Sequence, residues 1–289
     1  MEITGRTRFT AVFGDPVEHS LSPAMHNAAY AALGIEGAYL AFHVAPHRLH
    51  DAIRAVAALQ IAGVNLTVPH KESAVSMMTH LTEEARTLGA INCVVNRDGE
   101  LHGDNTDARG LERDLRESGI RLAGRTVIVV GAGGAAAAAI LACCRTGAKK
   151  ISLRNRTLER ARKLADHFRH LGQAPSGHSI DAAALDDLSD AHALDGVALV
   201  INATPMGLKT TSFVPLAYDA APKDCAFYDM IYAPRATPFL APAIAAGRRA
   251  LDGAGMLLYQ GALAFELFNN LAAPVDAMRA ALMSALGRS

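Results

Sequence analysis

Two segments of this sequence carry side chains suited to acid–base chemistry. GVNLTVPHK, residues 63–71, closes an apolar run at Pro69 and leaves Lys71 just beyond it. GDNTD, residues 103–107, delivers Asp107 to the start of a helix-like stretch. An ammonium beside a carboxylate, facing a nicotinamide, suits reduction of a ketone, in which a hydride reaches carbon and the ammonium supplies the proton. Taken singly, each residue reads equally well as a surface charge.

A second kind of site lies in VIVVGAGGAAAAAI, residues 127–140. An apolar strand runs into Gly131, Ala132, Gly133, Gly134 and Ala135. Gly131 permits a tight turn, Gly133 lets the backbone approach a pyrophosphate, and a helix from about Ala135 offers N–H groups and a positive dipole end to that anion. The order Gly-Ala-Gly-Gly-Ala-Ala puts alanine in the last small-residue position, which the dinucleotide fingerprint tolerates.

About twenty residues further on, the next strand, KKISL, leads to Asn155, Arg156 and Thr157. An enzyme selecting NAD places an acidic side chain near here, to bind the ribose hydroxyls. A guanidinium instead suits the ribose phosphate that distinguishes NADP. One such pair at about 4 Å and an effective dielectric near 20 is worth roughly 4 kcal/mol before desolvation. A third of that changes binding about tenfold. Arg154 and Arg160 add to the positive field, so NADP is the expected cofactor.

The elements around these residues alternate. RFTAVFG, GAYLAFHV and AGVNLTV read as strands, and HRLHDAIRAVAALQ reads as a helix. A further helix, AMHNAAYAALG, has Ser22 as its expected N-cap and Pro23 at its first position. CVVNRDGELHG reads as a hairpin turning at Asp98-Gly99. A second βα series has strands at 126–130, 150–153, 197–202 and 225–231, while 171–193 has no readable register. GMLLYQGALAFELF then returns as an amphipathic helix with no strand after it. The rhythm predicts an α/β fold with largely parallel sheets.

Bulk properties remove other classes. With 28 basic and 28 acidic residues there is no basic excess for a nucleic-acid surface. Thr126–Cys144 is uncharged over nearly a bilayer's length, but its three glycines in four positions read as strand, turn and helix rather than a membrane span. Glu2, Arg6 and Arg8 near the start argue against a secretory signal. Cys93, Cys143, Cys144 and Cys225 form no CxxC pair, so a reduced, cytoplasmic protein is expected. His47 with His50, and His167 with His170, have one-turn spacing but no accompanying carboxylate or cysteine set, so they read as solvated helix faces and no metal is expected.

An ordered series of motifs makes the chain resemble the shikimate dehydrogenase family: GDPVEHSLSPAMHN, NLTVPHK, GAINCVV, GDNTD, GAGGAA, NRT, INATPMG, DMIYAPRATPFL and GMLLYQGALAF. The match runs from about Phe9 to Phe268. The resemblance implies two α/β domains: a substrate-binding and catalytic domain over 1–106, completed by 253–289, and an inserted Rossmann-type nucleotide domain over 107–252. Substrate would meet cofactor in the cleft between them.

The resemblance also implies roles. Hydroxyls of Ser20 and Ser22 would bind the shikimate carboxylate, and Asn65, Thr67, Asn92 and Gln260 the ring hydroxyls or their pocket. Tyr232 would be a further substrate contact, and Lys71 and Asp107 the catalytic pair. Thr204, Met230 and Gly253 would surround the nicotinamide half, with Gly131–Ala135 and Asn155–Arg160 on the pyrophosphate and adenosine phosphate. Cys93, Pro205 and Phe268 depart from common threonine, serine and tryptophan, which bears on the substrate more than on the reaction type.

The implied activity is NADP-dependent reduction of 3-dehydroshikimate to shikimate in aromatic biosynthesis. Rival readings are a relative acting on quinate or another hydroxylated cyclohexane acid, with NAD as an alternative cofactor, and a non-catalytic NADP-binding regulator. A reductase acting on folate or another ligand would share the plan but not need the HSLS pair. The expected partner is a small molecule, with neither nucleic acid nor membrane. Oligomeric state has no signature in the sequence, and a homodimer is compatible with it.

Overall fold

The computed structural model describes residues 3–171, 179–207, 212–232 and 236–288. The chain divides into one unit made of Met1–Gly110 with Leu257–Ser289 and another made of Leu111–Met256. Both boundaries fall inside helices, four residues beyond the expected 106/107 and 252/253.

The first unit alternates strand and helix as its apolar runs require. Its elements are β1 (Arg8–Gly14), α1 (Ser22–Ala32), β2 (Gly37–His43), α2 (Leu49–Ala58), β3 (Gly63–Leu66), α3 (His70–Ser73), β4 (His80–Leu81), α4 (Glu83–Leu88), β5 (Cys93–Arg97), β6 (Glu100–Asp104) and α5 (Asp107–Glu117). The sheet order is β2-β1-β3-β5-β6-β4. The pairs β1–β2, β1–β3 and β4–β6 are parallel; β3–β5 and β5–β6 are antiparallel. The β5–β6 hairpin turns at Asp98 and Gly99, both at positive φ, as its Asp-Gly pair predicts. β3 is buried along its whole length, as a central strand covered on both faces must be. One face packs Ala11, Phe13, Val64 and Leu66 on Ile53 and Val56 of α2.

The second unit follows with β7 (Thr126–Val130), α6 (Gly134–Arg145), β8 (Lys150–Asn155), α7 (Leu158–His170), β9 (Ser179–Ala184), β10 (Val197–Asn202), β11 (Ala226–Asp229), α8 (Leu240–Ala245) and β12 (Arg249–Leu251). Its sheet, ordered β12-β11-β10-β7-β8-β9, is parallel throughout. Numbered from β7, this is the doubly wound order 3-2-1-4-5-6 read in reverse, and the order reverses between β7 and β10. The stretch without readable register contains β9, of sequence SIDAAA, whose alanines carry little strand signal. Part of that stretch, 172–178, lies outside the described residues. The short β12 also had no clear sequence signature.

The chain returns to the first unit through α9 (Ala254–Asn269) and α10 (Val275–Ala285). No residue of α9 is exposed, so this helix is enclosed rather than amphipathic. Its Phe268 lies over Gly63 so closely that any Cβ there would overlap the ring. Among the described residues, no helix is long and apolar enough to cross a membrane.

Candidate active site

In the first unit, Lys71 is carried by α3 and Asp107 opens α5, and Lys71 Nζ lies 2.6 Å from Asp107 Oδ2. Asp107 is 9% exposed in its side chain and Lys71 29%, so the carboxylate is enclosed and the ammonium has a route to solvent or ligand. The other carboxylate oxygen, Oδ1, accepts from Asn92 Nδ2 at 2.8 Å, and the Asp107 amide donates to Asn105 Oδ1. Breaking one partner of such a pair leaves a buried charge uncompensated.

Asn92 is the hub. Its amide nitrogen also donates to Thr106 Oγ1 at 3.0 Å and Gln260 Oε1 at 3.3 Å, while its Oδ1 accepts from the Thr106 backbone and hydroxyl. Gln260 reaches it because α9 lies close to α5 at Gly110, where a Cβ would come within 2.7 Å of the Gln260 backbone nitrogen. Asn65 donates to the Asn92 carbonyl at 3.0 Å and accepts the Tyr39 hydroxyl at 2.8 Å. The Ser22 amide donates weakly to Ser20 Oγ at 3.4 Å. One polar network therefore links Tyr39, Asn65, Asn92, Gln260, Asp107 and Lys71.

Ser22 is not the N-cap. That position falls on Leu21, Ser22 begins the helix, and no side chain caps it. Thr67 lies just past β3, where Gly14 leaves space for its methyl group.

In the second unit, Gly131 follows β7 with φ 130, and a Cβ there would sit 3.0 Å from the Ala203 carbonyl oxygen. Ala132 is half-buried, and Gly133, Gly134 and Ala135 line the start of α6. A Cβ on Gly133 or Gly134 would meet nothing within 4 Å, and no side chain caps α6. These glycines thus face open space at an uncapped helix N-terminus beside the reversal of strand order, which fits a dinucleotide pyrophosphate. The helix begins at Gly134, one residue earlier than expected.

β8 carries Asn155, whose Nδ2 donates to the Thr157 carbonyl at 2.9 Å, and Thr157 precedes α7. Arg156, Thr157 and Arg160 are exposed. Arg154 is half-buried and donates to the Ala184 carbonyl of β9, so part of its guanidinium serves the fold.

At the ends of β10 and β11, Asn202 Oδ1 accepts from Thr204 N and Oγ1, and the Asn202 carbonyl accepts from Met230 N. Gly253 packs directly on the Met230 backbone, leaving no room for a Cβ. Thr204, Met230 and Gly253 are thereby held together. Their common support is Asp229, fully buried, which accepts from Asn202, Ile231 N and Thr237. Burial raises its pKa to about 6, against the lowering effect of those hydrogen bonds. Tyr232 belongs to this second unit, whereas the other substrate-binding candidates belong to the first. Burial raises its pKa.

Sequence reasoning missed several supporting residues. Tyr39 donates to Asn65 without any motif to announce it. Arg109, two residues past Asp107, pairs with Asp104 at 2.6 Å and Glu84 at 3.2 Å. Burial pulls its pKa down, but the two carboxylates together leave it raised. Asp229 had a weak cue, lying at the end of a buried apolar run. Cys93 is fully buried on β5, where burial raises its thiol pKa; Pro205 is exposed.

A doubly wound sheet with an uncapped glycine turn, and a separate α/β unit whose helices hold a Lys–Asp pair, fit the class of two-unit α/β oxidoreductases. Family models described as the shikimate dehydrogenase substrate binding domain, shikimate / quinate 5-dehydrogenase and the shikimate 5'-dehydrogenase C-terminal domain match residues 12–94, 114–207 and 253–283. The chain is 40% identical over 287 residues to a shikimate dehydrogenase (NADP(+)) of Geobacter sp. (strain M21), covering 99% of this chain and 98% of that protein. Shikimate 5-dehydrogenase from Thermus thermophilus, solved in complex with NADP(H) and shikimate, superposes with TM-score 0.85 at 37% identity, covering 96% of this chain and 100% of that one. Quinate dehydrogenase from Corynebacterium glutamicum, solved with NAD, gives TM-score 0.85 at 28% identity, covering 96% and 99%. This chain belongs to the shikimate dehydrogenase family.

Proposed function

We propose that the chain catalyses the reversible, NADP-dependent reduction of 3-dehydroshikimate to shikimate, within aromatic amino acid biosynthesis. The observation that carries this reading is the 2.6 Å pairing of Lys71 with Asp107, held by Asn92 and Gln260. NADPH supplies the hydride, which goes to the C3 carbonyl carbon. Lys71 stabilises the developing alkoxide, and the Lys71–Asp107 pair delivers the proton that completes the alcohol. Asp107, fixed by Asn92, orients the ammonium and accepts from a ring hydroxyl. Ser20 and Ser22 offer uncharged hydroxyl donors to the substrate carboxylate, avoiding a buried ion pair. Asn65, Thr67, Asn92 and Gln260 bound the ring pocket, with Tyr232 as a further contact.

For the cofactor, Gly131, Ala132, Gly133, Gly134 and Ala135 would hold the pyrophosphate, and Asn155, Arg156, Thr157 and Arg160 the adenosine phosphate. Thr204, Met230 and Gly253 would frame the nicotinamide. Four free, buried cysteines support a reducing, cytoplasmic setting.

The test follows absorbance at the reduced-nicotinamide band, with shikimate and quinate each paired with NADP and NAD. Fastest turnover with shikimate and NADP is expected. Preference for quinate, or for NAD, would select the relative named above, and absence of turnover with every pair would favour a binding protein.

A further inference from the structure

A cluster of potential metal ligands lies away from the residues discussed so far, at the edge of the first sheet. β4 and β6 run parallel with His80 opposite His102. Glu100 is two residues before His102 on β6, so their side chains share a sheet face. His80 Nε2 lies 3.3 Å from Glu100 Oε2, and the two imidazole rings stack with centroids 4.5 Å apart. One ligand atom from each of the three residues falls within 4.8 Å of the other two. Donors on a tetrahedral zinc at about 2.0–2.1 Å sit about 3.3 Å from one another. Modest side-chain rotations close the remaining gap, and His80 and Glu100 are exposed enough to make them.

We propose that His80, Glu100 and His102 form a binding site for a divalent transition metal of the zinc type, which clasps the two-residue edge strand β4 to β6. Two imidazoles and one carboxylate are a donor set that zinc accepts, with the fourth position left to water on the solvent side. The site is independent of the activity proposed above. It occupies the end of β6 remote from Asp104 and the Asn105–Asp107 turn.

One further feature tunes it. Arg97 stands opposite Glu100 across the hairpin and opposes a cation. Its removal should therefore strengthen binding.

The experiment uses the full chain without a histidine tag, stripped with chelator and titrated with zinc chloride by calorimetry, with cobalt(II) chloride absorption as a geometric readout. One equivalent of zinc should bind, with tetrahedral cobalt bands and a higher Tm. His80→Ala and His102→Ala should each weaken zinc binding at least as much as loss of an outer-shell partner does, about 10- to 100-fold. Glu100→Gln should weaken it less, and Arg97→Gln should tighten it. Dehydrogenase turnover should stay within about twofold throughout, since surface changes away from a site rarely propagate to it. Far-UV circular dichroism of the metal-free variants checks folding, and His80→Asn with His102→Gln replaces any alanine variant that fails it. No zinc uptake, or equal uptake by the double histidine variant, would overturn the assignment and in the latter case move the binding to other histidines.

Discussion

The two units build their sites by opposite means. In the first, polar groups are joined into one network: Lys71, Asp107, Asn92, Gln260, Asn65 and Tyr39 are linked by hydrogen bonds of 2.6–3.3 Å across several helices and strands. In the second, the turn proposed to hold the pyrophosphate is made of missing side chains, at Gly131, Gly133 and Gly134, and of helix N–H groups left uncapped. A network loses function when one donor goes, because its neighbours are left unpaired. A turn loses function when an atom is added.

Removing Lys71 tests the first half of that contrast and carries the largest effect. Lys71→Ala should lower kcat by about 10²- to 10⁴-fold, the range for a positioned acid–base group, while NADPH binding followed by fluorescence changes little. Normal turnover in this variant would exclude Lys71 from the chemistry. Gly131→Val tests the second half. The φ of 130 and the Ala203 carbonyl at 3.0 Å oppose any Cβ, and strain of about 1–3 kcal/mol should weaken NADPH about 5- to 150-fold. Shikimate binding measured without cofactor should be unchanged.

The units also answer pH with opposite signs. His26 is fully buried against Tyr39, at 4.1 Å between ring centroids, and neither of its ring nitrogens has a hydrogen-bond partner. Burial lowers its pKa to about 3, so its contribution to stability is present above the unfolded value of 6.5 and is lost as pH falls toward 3. From about pH 7 to pH 5 the loss is about 2 kcal/mol. Asp229 behaves conversely: with its pKa raised from 3.8 to about 6, its contribution is present below 3.8 and lost as pH rises through 6, again about 2 kcal/mol from about pH 4 to pH 6. Urea unfolding at each pH should show a flatter acid slope for His26→Phe and a steeper one for Asp229→Asn. Unchanged slopes would mean that neither group titrates as its burial requires.

The smallest effect belongs to Arg156, whose exposed guanidinium would act on the proposed adenosine phosphate through solvent-screened charge. Arg156→Ala should weaken NADP about tenfold and leave NAD unchanged in paired titrations. Equal losses for both cofactors would move the phosphate preference elsewhere, Arg160 being the nearest alternative.

Local patterns made much of this molecule legible. The strand–glycine–helix run at 127–140 and the Asp98-Gly99 hairpin follow from backbone rules acting over a few residues, and each appears where those rules put it. The order of motifs marked the family. What local patterns did not hold was pairing between distant segments. Tyr39 meets Asn65, Asn92 meets Gln260 168 positions away, and Arg109 meets Glu84 only once strands and helices have packed. His80 and His102 are likewise partners through strand register rather than helical spacing. Even Ser22, a cap by residue type, begins its helix instead of capping it. The order of residues along the chain set which backbone conformations are accessible and which groups could ionise, because both depend on a residue and its immediate neighbours. Which of those groups lose water, and which partner replaces it, was settled by the folded chain alone, because desolvation and hydrogen bonding are set by whatever segment packs alongside.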